Sequence, residues 1–151
     1  MQSCMQCALR LLGRRDHSSQ ELALKLAQRG FEPTEIEVVL SECRRLQYLD
    51  DGAYGRNYAQ QLRHKGYGLR RIEQTLFAKH LAPELIRLTT QSCCASEQQL
   101  ADCRQALIKW LRAGRRRYCA DVKAASYRFL LSRGFAADII QQALAQTVEE
   151  E

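Results

Sequence analysis

The fold is decided by residues 18–46, which read SSQELALKLAQRGFEPTEIEVVLSECRRL. Ser18 followed by Glu21 predicts a capping box, in which two orphan backbone amides at a helix start are satisfied. Gly30 stands where a left-handed residue ends a helix, and Pro33 suits the first position of the next one. After that proline, apolar residues recur at i, i+3, i+4 and i+7, the spacing of one buried helical face. The stretch therefore predicts a pair of helices joined by a tight turn.

The same unit occurs three times along the chain. The turn at residues 29–31 is matched after 50 residues at 79–81 and after a further 54 at 133–135. Each copy is preceded by a further predicted helix, over about 4–15, 51–64 and 97–112. Strand signals are almost absent, because the sequence has no sustained period-two alternation. The sequence therefore predicts an all-α fold of three tandem three-helix, helix-turn-helix-like repeats in an elongated, curved array. The predicted first, second and third modules span residues 1–48, 49–94 and 95–151.

Positive charge is concentrated in the second and third modules. The formal net charge is +6. Residues 56–79 hold six Lys or Arg and one acid, and residues 104–133 hold nine and one acid, whereas the first 49 residues hold seven basic and six acidic groups. Two basic segments on a small protein favour a polyanionic partner, with nucleic acid the first class to consider. A solvated, solubilising surface is the alternative that charge alone leaves open.

The seven cysteines lie at positions 4, 7, 43, 93, 94, 103 and 119. Their odd number favours reduced thiols over a disulfide framework. Cys4 and Cys7 form a lone C-x-x-C, without a further ligand pair at the spacing that zinc requires. Cys7, Cys43 and Cys103 fall on apolar helical faces, where cysteine packs as a small hydrophobe. We therefore predict no metal and no cofactor.

The sequence offers no signal for export, membrane insertion or catalysis. It has no apolar run of 18 residues, no signal-peptide pattern, and none of the common phosphate-loop, zinc-protease or nucleophile-elbow motifs. Asp16-His17-Ser18 contains triad residue types, but helix capping by Ser18 is the simpler interpretation. Asp50-Asp51 stands at a predicted helix start, where the dipole favours acidic groups. We expect a cytoplasmic, non-enzymatic protein that does not contact a membrane.

Glycine, aromatic and basic residues are combined at two interhelical segments. The first, RHKGYGLRR, spans residues 63–71, and the second, RAGRRRY, spans 112–118. Glycines allow close approach of the backbone, Tyr67 offers a stacking surface, and basic groups at a helix N-terminus suit phosphate. For residues 63–71 an ordinary interhelical turn is an equal alternative. Four arginines crowded around Gly114 favour a functional role for the second segment.

Four motifs run along nearly the whole chain. They are HSxxELxxKL from His17, YLDD from Tyr48, GYGxxRI from Gly66 and RFLLxRGF from Arg128. In this order and spacing they resemble the RecX regulators of bacterial recombinase. The middle module departs from the family at His80-Leu81, where a glycine and an aliphatic residue are common, so the geometry of that turn is open.

The resemblance implies a non-enzymatic protein of tandem three-helix repeats that lies in the helical groove of the RecA filament on single-stranded DNA. It further implies inhibition of the ATPase, strand-exchange and co-protease activities of RecA, within DNA recombination, DNA repair and the SOS response. Some family members bind DNA directly, and we expect a monomer. The resemblance specifies no contact residues. From charge alone, the predicted filament- or DNA-binding residues are Arg63, Lys65, Arg70, Arg71, Arg112, Arg115, Arg116, Arg117, Lys123 and Arg128.

The alternative is an independent DNA-binding helix-turn-helix protein. Pairs such as 18–29 with 33–47 would then read a DNA groove. Against this, Glu32, Glu35 and Glu37 lie on or beside the second helix of the pair and would repel phosphate.

Overall fold

A computed structural model of the chain describes residues 2–113 and 121–149, with only the backbone described at 148 and 149. Within those residues the chain forms nine α-helices and no strand. They are α1 Cys4–Arg14, α2 Ser19–Gln28, α3 Pro33–Arg45, α4 Asp51–His64, α5 Leu69–Ala78, α6 Pro83–Cys93, α7 Ser96–Arg112, α8 Val122–Ser132 and α9 Ala137–Glu149. The predicted all-α class is confirmed, and the predicted bounds of α1, α4 and α7 agree with the structure to within one residue.

Side-chain caps define several helix starts. The Ser18 hydroxyl accepts the backbone N–H of Glu21 at 3.2 Å, and the Asp50 carboxylate accepts that of Ala53 at 3.0 Å, as the capping interpretations predicted. The reciprocal half of the predicted box at α2 is wrong. The Glu21 carboxylate pairs with the guanidinium of Arg15 and does not reach back to the cap. A hydrogen bond between two charged groups is stronger than the bond that the same carboxylate would accept from a neutral backbone amide.

The turn inside each helix pair is the same in all three modules. Gly30, His80 and Gly134 adopt φ values of +92°, +65° and +95°. The residue after each donates its N–H to a carbonyl five positions back, which is the C-terminal motif that ends a helix with a left-handed residue. The turn geometry that His80 left open is therefore retained, with a histidine where the flanking modules have glycine.

Three consecutive helices enclose each of three hydrophobic clusters. The first cluster is centred on Leu22, Leu26 and Cys43, the second on Ile72 and Leu76, and the third on Leu107, Leu130 and Ile140. Helix α1 packs on α2 and α3, α4 on α5 and α6, and α7 on α8 and α9. The predicted packing of Cys7, Cys43 and Cys103 on apolar helical faces is confirmed, because all three are buried. Leu81 and Phe135, which follow the turns of the second and third modules, are buried as well, while Phe31 is half-buried against the first cluster. The module boundaries after residues 48 and 94 stay predictions.

The length and polarity of a helix decide whether it can cross a membrane. Among the described residues, no helix combines the length and apolar character needed to cross a bilayer.

A candidate interaction surface at the joints between modules

Two joints hold the modules together, and they occupy the same positions of the repeat. At the first joint, the Ser18 hydroxyl donates a hydrogen bond to the carbonyl of Lys79 at 2.7 Å. At the second joint, the backbone N–H of Gly68 donates to the carbonyl of Arg133, also at 2.7 Å. Ser18 and Gly68 are 50 residues apart and Lys79 and Arg133 are 54 apart, which are the two offsets of the sequence repeat. The start of the second helix in one module thus docks on the turn of the next.

The second joint is a backbone-to-backbone contact that depends on two glycines. The Arg70 N–H donates to the carbonyl of Gly134 at 3.0 Å, beside the Gly68–Arg133 bond. A Cβ added to Gly68 would lie 2.6 Å from the carbonyl carbon of Gly134, and one added to Gly134 would lie 2.5 Å from the nitrogen of Arg71. Van der Waals contact between such atoms requires about 3.5–4.0 Å. Glycine is therefore required on both sides of the joint.

This contact decides between the two interpretations of residues 63–71. Phosphate binding at a helix N-terminus uses free backbone N–H groups. At the start of α5, the N–H groups of Gly68 and Arg70 are already bonded to carbonyls of the third module. The glycines therefore serve the joint, and these two N–H groups are not available to a phosphate.

The aromatic ring of Tyr67 is also used within the joint. The guanidinium of Arg133 lies 4.8 Å from its centroid, and that of Arg71 lies 5.2 Å from it. Arg133 lies in addition 5.1 Å from the ring of Phe129, which stacks on Trp110 with centroids 5.7 Å apart. Cation–π contacts of this kind hold the guanidinium of Arg133 in place between two rings.

An ion pair adds a third link at the second joint. Arg63 of α4 donates from Nε to a carboxylate oxygen of Asp102 on α7 at 2.8 Å. The two side chains are only 21% and 17% exposed, so this pair is shielded from solvent far better than the surface pairs of the chain. The hydrogen bond to Asp102 raises the pKa of Arg63 above its ordinary value. Arg63 was predicted to meet filament or DNA, and the structure places its charge against an internal partner.

The other predicted site residues separate into groups. Lys65, Arg70, Arg71, Arg112, Lys123 and Arg128 are exposed. Lys65 lines a groove of about 190 Å³, which we call the basic groove, together with Gly66, Ala106, Lys109, Trp110, Ala113, Phe129 and Arg133. Lys123 and Arg128 line a separate groove between α8 and α9, of about 810 Å³. Arg115, Arg116 and Arg117 lie outside the described residues.

Sequence reasoning missed two of the three cations of the basic groove. Lys109 and Arg133 line the groove together with Lys65, and none of its described lining residues is acidic. In the sequence, Arg133 belongs to the third repeated turn and Lys109 to the basic segment 104–133, and neither pattern marks the residue as part of a groove. Helical spacing was one signal for Lys109. At the C-terminal end of α7, Ala106, Lys109 and Ala113 follow the spacing i, i+3 and i+7 and therefore lie on one face. The approach of Lys65 to that face depends on the joint, which the sequence does not show.

The first joint has the opposite electrostatic character. A groove of about 750 Å³ beside it, which we call the acidic groove, is lined by Asp16, Asp50 and Asp51 with Arg44 as its cation. The Asp51 carboxylate accepts the backbone N–H and the hydroxyl of Ser19 at 2.8 and 3.1 Å. Asp50 and Asp51 therefore cap helices and link modules, as the capping interpretation of this pair predicted.

A buried polar network lies next to the first joint. His17 is 3% exposed, with Nδ1 2.9 Å from the carbonyl of Arg15 and Nε2 3.1 Å from the ammonium of Lys25. Burial lowers the pKa of His17, and the charges of Arg15 and Lys25 act in the same direction. For Glu21, burial acts to raise the pKa, but the hydrogen bond and charge of Arg15 outweigh it and the pKa is lowered. Burial raises the pKa of Tyr54 to about 12.

The chain is similar to known proteins in both sequence and fold. A family model described as the first three-helix domain of RecX matches residues 4–43, and one described as the second three-helix domain of RecX matches residues 50–88. The chain is 36% identical over 144 residues to the regulatory protein RecX of Legionella pneumophila, covering 94% of this chain and 93% of that one. It is 35% identical over 153 residues to the regulatory protein RecX of Vibrio cholerae, covering 99% and 96%.

Solved structures show the same fold. The crystal structure of RecX from Lactobacillus salivarius superposes with a TM-score of 0.83 at 18% identity, covering 95% of this chain and 93% of that one. The two matched domains correspond to the first two of the three helical clusters. On the matched domains and the full-length relatives together, the chain belongs to the RecX family.

Proposed function

We propose that this protein is a non-enzymatic inhibitor of the RecA recombinase that docks on the RecA filament formed on single-stranded DNA. In this proposal it reduces the ATPase, strand-exchange and co-protease activities of the filament. Membership of the RecX family carries the proposal, since its members are named regulatory proteins. The docking surface is the exposed basic side of the second and third modules.

The convergence of cations at the second joint supports this choice of surface. Lys65, Lys109 and Arg133 line one groove although they come from two modules. The Gly68–Arg133 hydrogen bond and the Arg63–Asp102 ion pair fix the two modules at this point. Cations that line one groove give it a positive potential, and none of the described lining residues is acidic, so this surface would attract an anionic partner. Acidic protein surface and DNA phosphate are the two anions that a nucleoprotein filament presents.

The measurement that tests the proposal is the single-stranded-DNA-dependent ATPase of the cognate RecA, titrated with this protein. Suppression at well below one molecule per RecA protomer supports filament binding. An unchanged rate, together with failure to co-sediment with the filament, would overturn the proposal. A rate that rises would keep the filament as partner and reverse the sign of the effect.

Charge reversal tests the docking surface separately from the activity. The variant Lys65→Glu/Lys109→Glu changes two exposed cations of the basic groove, while Arg10→Glu/Arg29→Glu changes two exposed cations of the first module by the same net charge. We expect the first variant to need at least tenfold more protein for half-inhibition and the second to inhibit normally. Equal losses in the two variants would show that net charge, and not this surface, governs docking.

Independent DNA binding is the competing function. The exposed side of α3 carries Glu35 and Glu37, with Glu32 as its N-cap, and its apolar side is buried. The recognition helix of the first pair is therefore poorly suited to a DNA groove. Tight binding to DNA without RecA, with a clear preference for one duplex sequence and a steep loss of affinity with added salt, would favour this alternative over the filament.

A further inference from the structure

Cys93 and Cys94 form an adjacent pair of thiols that the proposed function does not use. Their Sγ atoms lie 3.5 Å apart at the C-terminal end of α6. Cys94 is 6% exposed, whereas Cys93 is half-buried and offers a route from solvent. Cys94 belongs to the core cluster of the second module, and Cys93 packs against it. Among the described cysteines, Cys93 is the one that is half-buried, whereas Cys4, Cys7, Cys43 and Cys103 are buried in the other two cores.

The backbone around the pair holds the two sulfurs on one side. The N–H of Cys94 donates to the carbonyl of Thr90 at 2.9 Å, and its carbonyl accepts a hydrogen bond from the Gln99 side chain at 2.7 Å. Cys94 is thus fixed between α6 and α7, and little freedom is lost when both thiols bind one ligand. Burial, followed by the hydrogen bond with Cys93, raises the pKa of Cys94 to about 12, so the Cys94 thiol is neutral at neutral pH.

Geometry disfavours a disulfide between these sulfurs. Consecutive Cα atoms are about 3.8 Å apart, whereas disulfides usually join Cα atoms about 4.4–6.8 Å apart. A bridging atom is a better fit. Suppose that one atom X bonds both sulfurs at about 2.3 Å, the length of a zinc–thiolate bond. The 3.5 Å separation of the two Sγ atoms then gives an S–X–S angle of about 100°. That angle suits a pyramidal or tetrahedral centre.

The number of available protein ligands then indicates which kind of centre could bridge the two sulfurs. Zinc takes about four protein ligands in closed structural sites. Among the described residues, no group of three or more Cys, His, Asp or Glu side chains is placed to hold a metal. A monosubstituted arsenic(III) centre carries one bond to carbon and needs two sulfurs to complete its three bonds, which is the number that this pair supplies.

We propose that Cys93 and Cys94 form a dithiol site for monosubstituted trivalent arsenicals at the junction of the second and third modules. With an arsine oxide R–As=O, two S–H bonds and the As=O bond break, two As–S bonds form, and the two thiol protons leave with the oxygen as one water. Arsenic stays in the trivalent state, so no oxidant or reductant takes part. The site lies near the Arg63–Asp102 ion pair, whose two members both act electrostatically on the Cys94 thiol.

The test is intact-protein mass spectrometry after exposure of the folded, full-length protein to one equivalent of phenylarsine oxide. The adduct is then challenged with excess monothiol, since a chelate held by two sulfurs resists a competitor that displaces a single bond. We expect one phenylarsenic group per chain that survives the monothiol and is removed by a dithiol such as 2,3-dimercaptopropanol. Each of Cys93→Ser and Cys94→Ser should lose the resistant adduct by at least tenfold.

The other cysteines supply matched controls. The variant Cys4→Ser/Cys7→Ser removes the only other closely spaced pair in the sequence, and Cys119→Ser removes the remaining cysteine outside the described residues. Both should keep the resistant adduct. Its loss in either control, or its retention in Cys93→Ser or Cys94→Ser, would overturn the proposal, and so would a requirement for denaturant before any adduct forms. Circular dichroism of every variant confirms that a lost adduct does not reflect a lost fold.

Discussion

The two joints of this protein occupy the same position of the repeat but differ in chemistry. At the first joint, the Ser18 side chain bridges the start of α2 to the turn at Lys79. At the second, two backbones touch directly through Gly68 and Gly134. A side-chain bridge acts as a spacer, which explains why a histidine is tolerated at the left-handed position of the second module. The direct contact has no spacer, so the third module requires glycine at that position.

The difference between the joints extends to charge. The groove beside the first joint is lined by three aspartates, and the groove at the second is lined by Lys65, Lys109 and Arg133. One repeated frame therefore presents surfaces of opposite sign at its two joints. A repeat fixes where modules meet, while the residues that vary between copies decide what the meeting point can bind or sense.

The largest effect is expected at Gly134. In Gly134→Ala the new Cβ would lie 2.5 Å from the Arg71 nitrogen, and the residue would keep a φ of +95°. Overpacking and a left-handed conformation together should cost about 2–5 kcal/mol of unfolding free energy. The control is Gly30→Ala at the equivalent position, where φ is +92° and nothing lies within 4 Å of the new Cβ, so only about 1–2 kcal/mol should be lost. Urea denaturation measures both, and equal losses would show that the contact at the second joint adds nothing.

The ion pair of the second joint should have the next largest effect. Arg63→Ala leaves the carboxylate of Asp102, which is only 17% exposed, without its partner. The loss should be about 1–3 kcal/mol. A double-mutant cycle with Asp102→Ala should give a clear coupling energy. The same cycle on Arg87 and Glu84, an exposed pair within α6, should give none. A vanishing coupling between Arg63 and Asp102 would remove this pair from the account of the joint.

Ser18 tests the first joint in the same manner. Its hydroxyl caps α2 and also donates to Lys79, whereas the Ser3 hydroxyl only caps α1. Loss of a cap costs about 1 kcal/mol, and loss of a buried hydrogen bond costs a further 0.5–1.5 kcal/mol, approximately. Ser18→Ala should therefore destabilise the protein more than Ser3→Ala in urea denaturation. Equal losses would mean that the bridge to Lys79 does not contribute to stability.

Local signals in the sequence were sufficient to predict the helices, while the joints needed the structure. Gly30, Pro33 and the i, i+3, i+4 apolar spacing depend only on near neighbours, so the repeat and the buried faces were predictable. The Gly66-Tyr67-Gly68 segment has the composition of a phosphate loop, but the N–H of Gly68 bonds to the carbonyl of Arg133 in the third module. The same limit applies to Arg63, whose charge was apparent from the sequence and whose partner Asp102 was not.

The smallest effect is expected from His17, because it is a single titration beside the first joint. Its neutral form can donate from Nδ1 to the carbonyl of Arg15 and accept at Nε2 from the ammonium of Lys25. Protonation would add a hydrogen to Nε2, which would then face the ammonium of Lys25. The nearby carboxylate of Glu21 is already paired with Arg15 and does not offset this repulsion. The pKa of His17 in the folded protein is below the ordinary value of 6.5, so the folded state binds fewer protons than the unfolded state. Stability from this group is therefore fully present above about pH 6.5 and is lost as the pH falls below it.

Urea denaturation at a series of pH values between 8 and 5.5 measures this loss while the carboxylates stay ionised. In His17→Gln the decrease between pH 7 and 5.5 should be smaller than in the unmodified chain, because the glutamine does not titrate. His64→Gln is the matched control, since it replaces an exposed histidine at the end of α4, away from the first joint. If the His17→Gln and unmodified profiles run parallel, the acid sensitivity of the first joint does not come from His17. A larger change on replacing His64 would assign the sensitivity to the exposed end of α4, and the contrast between a titrating first joint and a backbone-locked second joint would be lost.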